Sequence, residues 1–186
     1  MKSSFTTFSK NIIFVDTEFS SLDPYKGEIL SIGMVDVEGK ELYLELEYDD
    51  KIDPWVKKNI IPTLKAKKVS RQKAANEIRK FVGKGKPYMM AYVNQYDTLY
   101  LYKLLGKNKP FNWLPIDFAA ILFGMGINPE VFDVKEKDNF FSEIGVDPTK
   151  YHQHNALDDA KLLREVYLKM TKKLGLQSEA RGKSRT

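Results

Sequence analysis

The chain has 186 residues, 42% hydrophobic and 30% charged, enough for one domain with a sizeable core and too short for two. It has no cysteine, which excludes a disulfide framework and thiolate metal sites and fits a reducing compartment. Its apolar run Ile12-Ile13-Phe14-Val15 is too short for a secretion signal or a membrane span, so a cytoplasmic location with no membrane partner is expected. The net charge of +5, with an isoelectric point near 9.1, is compatible with a polyanionic partner.

In chain order, Asn11 to Asp16 reads as a strand that enters a polar loop over Ser20 to Gly27. Glu28 to Val37 is a second apolar strand, and Glu38-Gly39-Lys40 a hairpin turn. In Glu41 to Tyr48, Leu42, Leu44 and Leu46 alternate with Tyr43, Glu45 and Glu47, the pattern of a half-buried strand. Ser70 caps a helix to about Val82 whose inner face is Ala74, Ala75, Ile78, Phe81 and Val82. Pro87 to Val93 is a short buried strand, and Thr98 to Leu105 a helix ending at Gly106. Trp113 to Asp117 is another short strand, leading into a helix from Phe118 to Phe123; a final helix covers Asn155 to Leu174. A strand meander followed by alternating helices and strands describes an α/β fold with a mixed sheet flanked by helices. Residues 1–176 form a single domain, and 177–186, where Arg181, Lys183 and Arg185 outnumber Glu179, read as a basic, disordered tail.

Five residues from distant segments carry the chemistry. Asp16 and Glu18 are two residues apart at the end of the first strand, so both leave the same side of the backbone. Asp97, at a helix start, shares the apolar stripe of Leu101 and Leu104. On the last helix, Asp159 lines up with Leu163, Val166 and Met170, whereas Asp158 lines up with Leu162, Glu165 and Lys169. Asp159 therefore faces the core and Asp158 solvent. Four carboxylates drawn to one place repel one another unless cations hold them, and hard divalent ions such as Mg²⁺ or Mn²⁺ take such oxygen ligands. A histidine beside them can serve as a base near neutral pH. His154 lies five residues before Asp159, about 140° away on one continuous helix, so the two cooperate only if His154 precedes the helix. His152 competes for the same role, and residue type does not separate them.

Val15-Asp16-Thr17-Glu18-Phe19, Tyr96-Asp97 and His154-Asn155-Ala156-Leu157-Asp158-Asp159-Ala160 resemble the three motifs of DEDDh-type 3′–5′ exonucleases, which have a ribonuclease H-like fold. The third motif, His-x-Ala-x-x-Asp, selects His154 over His152 and Asp159 over Asp158. A narrower resemblance, through Asp-Thr-Glu-Phe, Ile29-Leu30-Ser31-Ile32-Gly33, Trp55-Val56, Ile61-Pro62, Ser70-Arg71 and Ala91-Tyr92 to Tyr96-Asp97, is to the RNase AS group of bacterial adenylate-specific exoribonucleases. In motif two the general family commonly has Asn four residues before the Asp; here that position is Val93, as in the RNase AS group. The resemblance implies two-metal hydrolysis of single-stranded nucleic acid, RNA in preference to DNA, releasing nucleoside 5′-monophosphates. Asp16 would bridge two divalent ions, Glu18 and Asp159 would hold the one that positions the attacking water, Asp97 the other, and His154 would be the general base. It also implies a homodimer.

Phe19 is a candidate for stacking on the terminal base or for packing under its loop. Trp55, after Asp53-Pro54, is read as a packing anchor at a helix start. Gly83-Lys84-Gly85-Lys86 lacks the spacing of a phosphate loop and reads as a turn, and Asp117 as a helix N-cap. Three alternatives stand beside the exoribonuclease. One is a 3′–5′ DNA exonuclease of the proofreading type. A haloacid-dehalogenase-like phosphatase would use Asp158-Asp159 but leave His154 without a role. A catalytically silent nucleic-acid-binding domain would be expected to have lost at least one of the five residues.

Overall fold

A computed structural model describes the backbone of residues 8–49, 51–132 and 137–183, with side chains for all of these except 137–138 and 176–183. Five strands form one mixed sheet: β1 (Ile12–Phe19), β2 (Ile29–Asp36), β3 (Glu41–Glu45), β4 (Tyr88–Ala91) and β5 (Ile116–Asp117). Their order across the sheet is β3-β2-β1-β4-β5, with β1–β2 and β2–β3 antiparallel and β1–β4 and β4–β5 parallel. This is the expected meander plus parallel strands, a ribonuclease H-like α/β sheet with β1 at its centre.

β1 runs three residues beyond its predicted end at Asp16, so both acids lie within the strand rather than at its tip. Pairing explains the extension: Thr17 and Glu18 are in register with Ile32 and Ser31 of β2, and a bulge follows between Glu18 and Phe19. Successive β1 side chains enter different cores. Ile13 and Val15 pack with Ile78 of helix α2 (Arg71–Val82) and Leu101 of helix α3 (Asn94–Leu105). Ile12 and Phe14 pack on the opposite face with Phe118 of α4 (Phe118–Gly124), Phe141 of α5 (Lys137–Ile144) and Leu163 and Val166 of α6 (Ala156–Lys183). The period of two therefore carries Asp16 and Glu18 toward α6 and Thr17 toward α3.

Ser70 caps α2 as expected, its hydroxyl accepting from the Lys73 N–H. α3 begins a turn earlier than predicted. Asp117 supplies its missing start: one carboxylate oxygen accepts the Asn94 N–H at 3.0 Å while the other caps α4 through Ala120 at 2.8 Å. Helix α1 (Pro54–Asn59) and a 3-10 turn (Ile61–Thr63) bury Val56 and Ile60 against Leu30 in a third, smaller cluster. The expectation of a helix ending near Leu174 is corrected: α6 continues to Lys183, so residues 177–183 of the basic tail have helical backbone. Gln177, Glu179, Ala180 and Arg181 favour helix, and Gly175 and Gly182 each cost only about 1 kcal/mol. Among the described residues no helix is long and apolar enough to cross a membrane.

Candidate metal centre

Gly33 is the structural reason why α6 meets β1. It pairs with Asp16 in the β1–β2 register, and a Cβ built on it would lie 2.1–2.3 Å from the backbone of Ala156 and Leu157. Only a residue without a side chain lets the first turn of α6 rest on the sheet here. That contact sets Asp159, in the same turn, over Asp16. Asp16, Glu18 and Asp159 each offer a carboxylate oxygen, all within 4.8 Å of one another.

Asp97 is placed differently. It is 7% exposed in the first turn of α3, and its carboxylate accepts the Thr17 hydroxyl at 2.7 Å. Thr17 sits between the other two acids on β1 but points the other way, so Asp97 stands behind the three-oxygen group. It is still within their electrostatic reach. Burial, then repulsion from Asp97, Asp159 and Glu18, holds the Asp16 carboxyl well above the usual carboxylate range. Burial first, then Asp159 and Asp97, pushes Glu18 up to about 8. Burial likewise pushes Asp97 up to about 7, against the lowering effect of the Thr17 hydroxyl. A cluster that resists its own ionisation and offers only carboxylate oxygens fits a hard divalent cation, which would remove both penalties.

His154 does precede the helix. It adopts a left-handed backbone, φ +63°, and its N–H donates to the Asp159 carboxylate at 3.0 Å. Asn155 then starts α6, its side-chain oxygen accepting from Leu157 and Asp158, both at 3.2 Å. The neighbouring Asp158 folds back on the loop, accepting the N–H of the exposed His152 at 3.0 Å. Asp158 therefore does not join the group formed by Asp16, Glu18 and Asp159. Asp16, Glu18, His154 and Asp159 line one open cavity of about 470 Å³, together with Tyr92, Phe132 and Tyr151. Tyr151 donates to Glu165 at 2.6 Å; burial, then that carboxylate, raises its pKa and keeps it a protonated donor.

Phe19 does not line this cavity. After the bulge its ring stacks on Tyr100, with centroids 4.7 Å apart and 11° between planes, and lies 5.7 Å from Tyr96. Trp55, expected to be a packing anchor, is 55% exposed because α1 turns Val56 and Ile60 inward, and its ring lies perpendicular to that of His154 with centroids 5.4 Å apart. Thr63 is a further participant that sequence reasoning missed: its hydroxyl lies 3.1 Å from the His154 carbonyl oxygen. Nothing in a lone Thr or a Pro-Trp pair signals such contacts. The Gly33 approach could have been suspected from a glycine inside the buried run of β2.

Among known proteins, a family model described as an exonuclease, of the RNase T type, matches residues 13–167. No curated protein matches the sequence. A solved structure entitled "Structure of yeast NOT1 MIF4G domain co-crystallized with CAF1" contains a chain with the same fold: TM-score 0.57, 13% identity, covering 90% of this chain and 81% of that one. With a match over most of its length and an oxygen-only acidic site, the chain belongs to the DEDD-type exonuclease family, nucleases that depend on divalent metal ions.

Proposed function

We propose that the protein is a 3′–5′ exoribonuclease that hydrolyses single-stranded RNA from its 3′ end and releases nucleoside 5′-monophosphates. The observation that carries this reading is the meeting of Asp16, Glu18 and Asp159 within 4.8 Å, with His154 bonded through its backbone to Asp159 in the same cavity. A space of about 470 Å³ suits one nucleotide-sized group. Asp16, Glu18 and Asp159, backed by Asp97, would hold two divalent ions, Mg²⁺ or Mn²⁺. When bound, such ions supply positive charge against the phosphate and make a water acidic enough to attack it near neutral pH. The chain's own groups do the rest. His154 takes the proton of the attacking water, and its left-handed backbone keeps its ring at the cavity wall instead of on the helix. Thr17 fixes the orientation of Asp97, and Tyr151 and Tyr92 limit the cavity to a single residue of the strand.

RNA is favoured over DNA by Val93 in motif two, together with the stretches shared with the RNase AS group, which also point to an adenylate preference. The protein acts as a single domain over residues 1–176, in the cytoplasm, and as a homodimer that sedimentation would read out. The test is digestion of labelled poly(A), mixed-sequence RNA and DNA side by side with Mg²⁺ or Mn²⁺. Stepwise shortening of a 5′-labelled RNA with release of nucleoside 5′-monophosphates, fastest on poly(A), supports the reading. Shortening from the 5′ end, or equal rates on DNA, sinks it.

A further inference from the structure

Between residues 51 and 73 the chain carries eight Lys and Arg against one acid, Asp53, although its overall charge is only +5. The rest of the molecule is therefore net negative, and the excess positive charge belongs to the segment that touches His154. With Val56 and Ile60 buried, α1 leaves Trp55, Lys57 and Lys58 outside. Lys58 lies one turn beyond Trp55 on the same face, and the Trp55 ring stands perpendicular to the His154 ring at 5.4 Å. Thr63 then ties the segment to the His154 carbonyl.

The lysines that follow stand on a built surface, not on a loose run. Glu45, 2% exposed at the end of β3, accepts the backbone N–H groups of Lys65 at 2.8 Å and Ala66 at 2.9 Å. The far end of the loop joins the sheet edge: Val69 donates to the Glu45 carbonyl at 2.8 Å and accepts from Glu47 at 3.0 Å. Lys65, Lys67 and Lys68 are exposed between these two anchors, and the Lys68 ammonium sits 3.9 Å above the Tyr48 ring. The one acid in the segment, Asp53, caps α1 through the Trp55 N–H at 2.8 Å. A buried carboxylate spent on orienting two backbone N–H groups is a costly way to hold a solvated loop. It is reasonable for a loop that must present charge in a fixed place.

We infer that residues 54–68 are the track along which a single-stranded nucleic acid reaches the active site, Lys57, Lys58, Lys65 and Lys67 taking backbone phosphates upstream of the bond to be cut. The inference rests on the exonuclease reading of the cavity. That cavity admits one nucleotide-sized group, so the strand crossing the wall beside it must be unpaired. Phosphate neutralisation by lysines binds without base preference and weakens steeply with salt.

The test uses the full chain carrying Asp16→Asn, which holds substrate without cutting it, and 5′-fluorescein oligoribonucleotides read by anisotropy over a range of NaCl. Lys57→Glu with Lys58→Glu, and separately Lys65→Glu with Lys67→Glu, should each weaken a dodecanucleotide about 10-fold and a trinucleotide much less. The slope of log K against log salt should fall by about 0.7 for each phosphate that is no longer neutralised. Lys→Gln at the same positions should give a smaller loss in the same order. An unchanged slope, an equal loss at both lengths, or equally tight binding of a blunt duplex or of anionic vesicles would overturn the track. Wild-type hydrolysis of the same oligonucleotides, measured alongside, reports separately on the active-site reading.

Discussion

The two walls of the site are built on different principles, one lining the cavity with acids and the other backing His154 from outside it. The acidic wall hangs on regular structure: Asp16 and Glu18 on the central strand, Asp159 in the first turn of α6, the two joined where Gly33 lets backbone rest on backbone. The other wall is a left-handed histidine that faces the cavity and, outside the cavity lining, an exposed tryptophan and a 3-10 turn, on segments that bury only a small cluster around Leu30. The difference follows from what each wall must do. Like charges at close range need positions that repulsion cannot shift, which sheet register and helix packing provide. On the proposed function the groups around His154 meet a substrate and a proton and need access, which loops provide.

Replacing a member of each wall measures this contrast, and the acidic side should give the larger effect. Asp16→Asn removes a ligand at the centre of the cluster; kcat should fall by more than about 10³-fold, a loss of about 4 kcal/mol in transition-state stabilisation. Because the same change removes one of four mutually repelling acids, the metal-free protein should melt no lower than wild type in calorimetry. A lower melting temperature together with retained activity would reverse the roles given to the two walls. His154→Ala should cost about 10²–10³-fold in kcat while leaving Mn²⁺ binding, measured by titration calorimetry, close to wild type.

The same contrast decides what can be read from the chain alone. Strand alternation puts Asp16 and Glu18 on one side, and helical phase separates Asp159 from Asp158, because periodicity reports which way a side chain on a regular element points. The mixed character of the sheet follows from the meander and from the alternation after it. His154 is legible only through the motif resemblance: its φ of +63° and its surroundings are set by residues 55, 63 and 159, which no local pattern links. α5 escapes sequence reading because its apolar residues are interrupted over a short span, and α1 is legible only as a start at Asp53-Pro54 because six residues give too few turns for a period. The end of α6 is misplaced because Gly175 looks like a stop without being one.

Gly33→Ala probes the joint between the elements of the acidic wall. Its Cβ would fall on the Ala156 carbonyl, so α6 must lift, and overpacking of this kind costs about 1–3 kcal/mol. The melting temperature should drop by several degrees and Mn²⁺ affinity should fall with it, since Asp159 moves with the helix. Stability loss with unchanged Mn²⁺ affinity would show that the joint does not set the site.

The acidic wall also predicts a pH dependence. Glu18 and Asp97 titrate higher in the folded chain, about 8 and about 7, than their ordinary values near 4. Between those limits the native state holds more protons than the unfolded one, so these groups make stability fall as pH rises from about 4 to about 8. A divalent cation acts in the opposite direction, because it binds the ionised form. Melting curves in EDTA and in excess Mn²⁺ should therefore diverge as pH rises, with the metal-induced increase larger at pH 8 than at pH 5. An increase independent of pH would mean that protons and metal do not compete for these carboxylates.

The smallest effect expected is on the open wall, at Thr63. Its hydroxyl has one proton and two carbonyl oxygens in reach, Ile60 at 2.8 Å and His154 at 3.1 Å, so the tie to the histidine is shared. A shared neutral hydrogen bond is worth about 0.5–1.5 kcal/mol, which converts to a fall of about 2- to 13-fold in kcat for Thr63→Val. KM should change little, because the residue touches the histidine and not the strand. Thr63→Ser keeps the hydroxyl and should recover most of the rate. The double variant Thr63→Val with His154→Ala should be no slower than His154→Ala alone, since a residue that works through the histidine has nothing left to orient. If Thr63→Val instead slows both backgrounds equally, the 3-10 turn supports the cavity as a whole and His154 owes its left-handed geometry to Asp159 and Trp55.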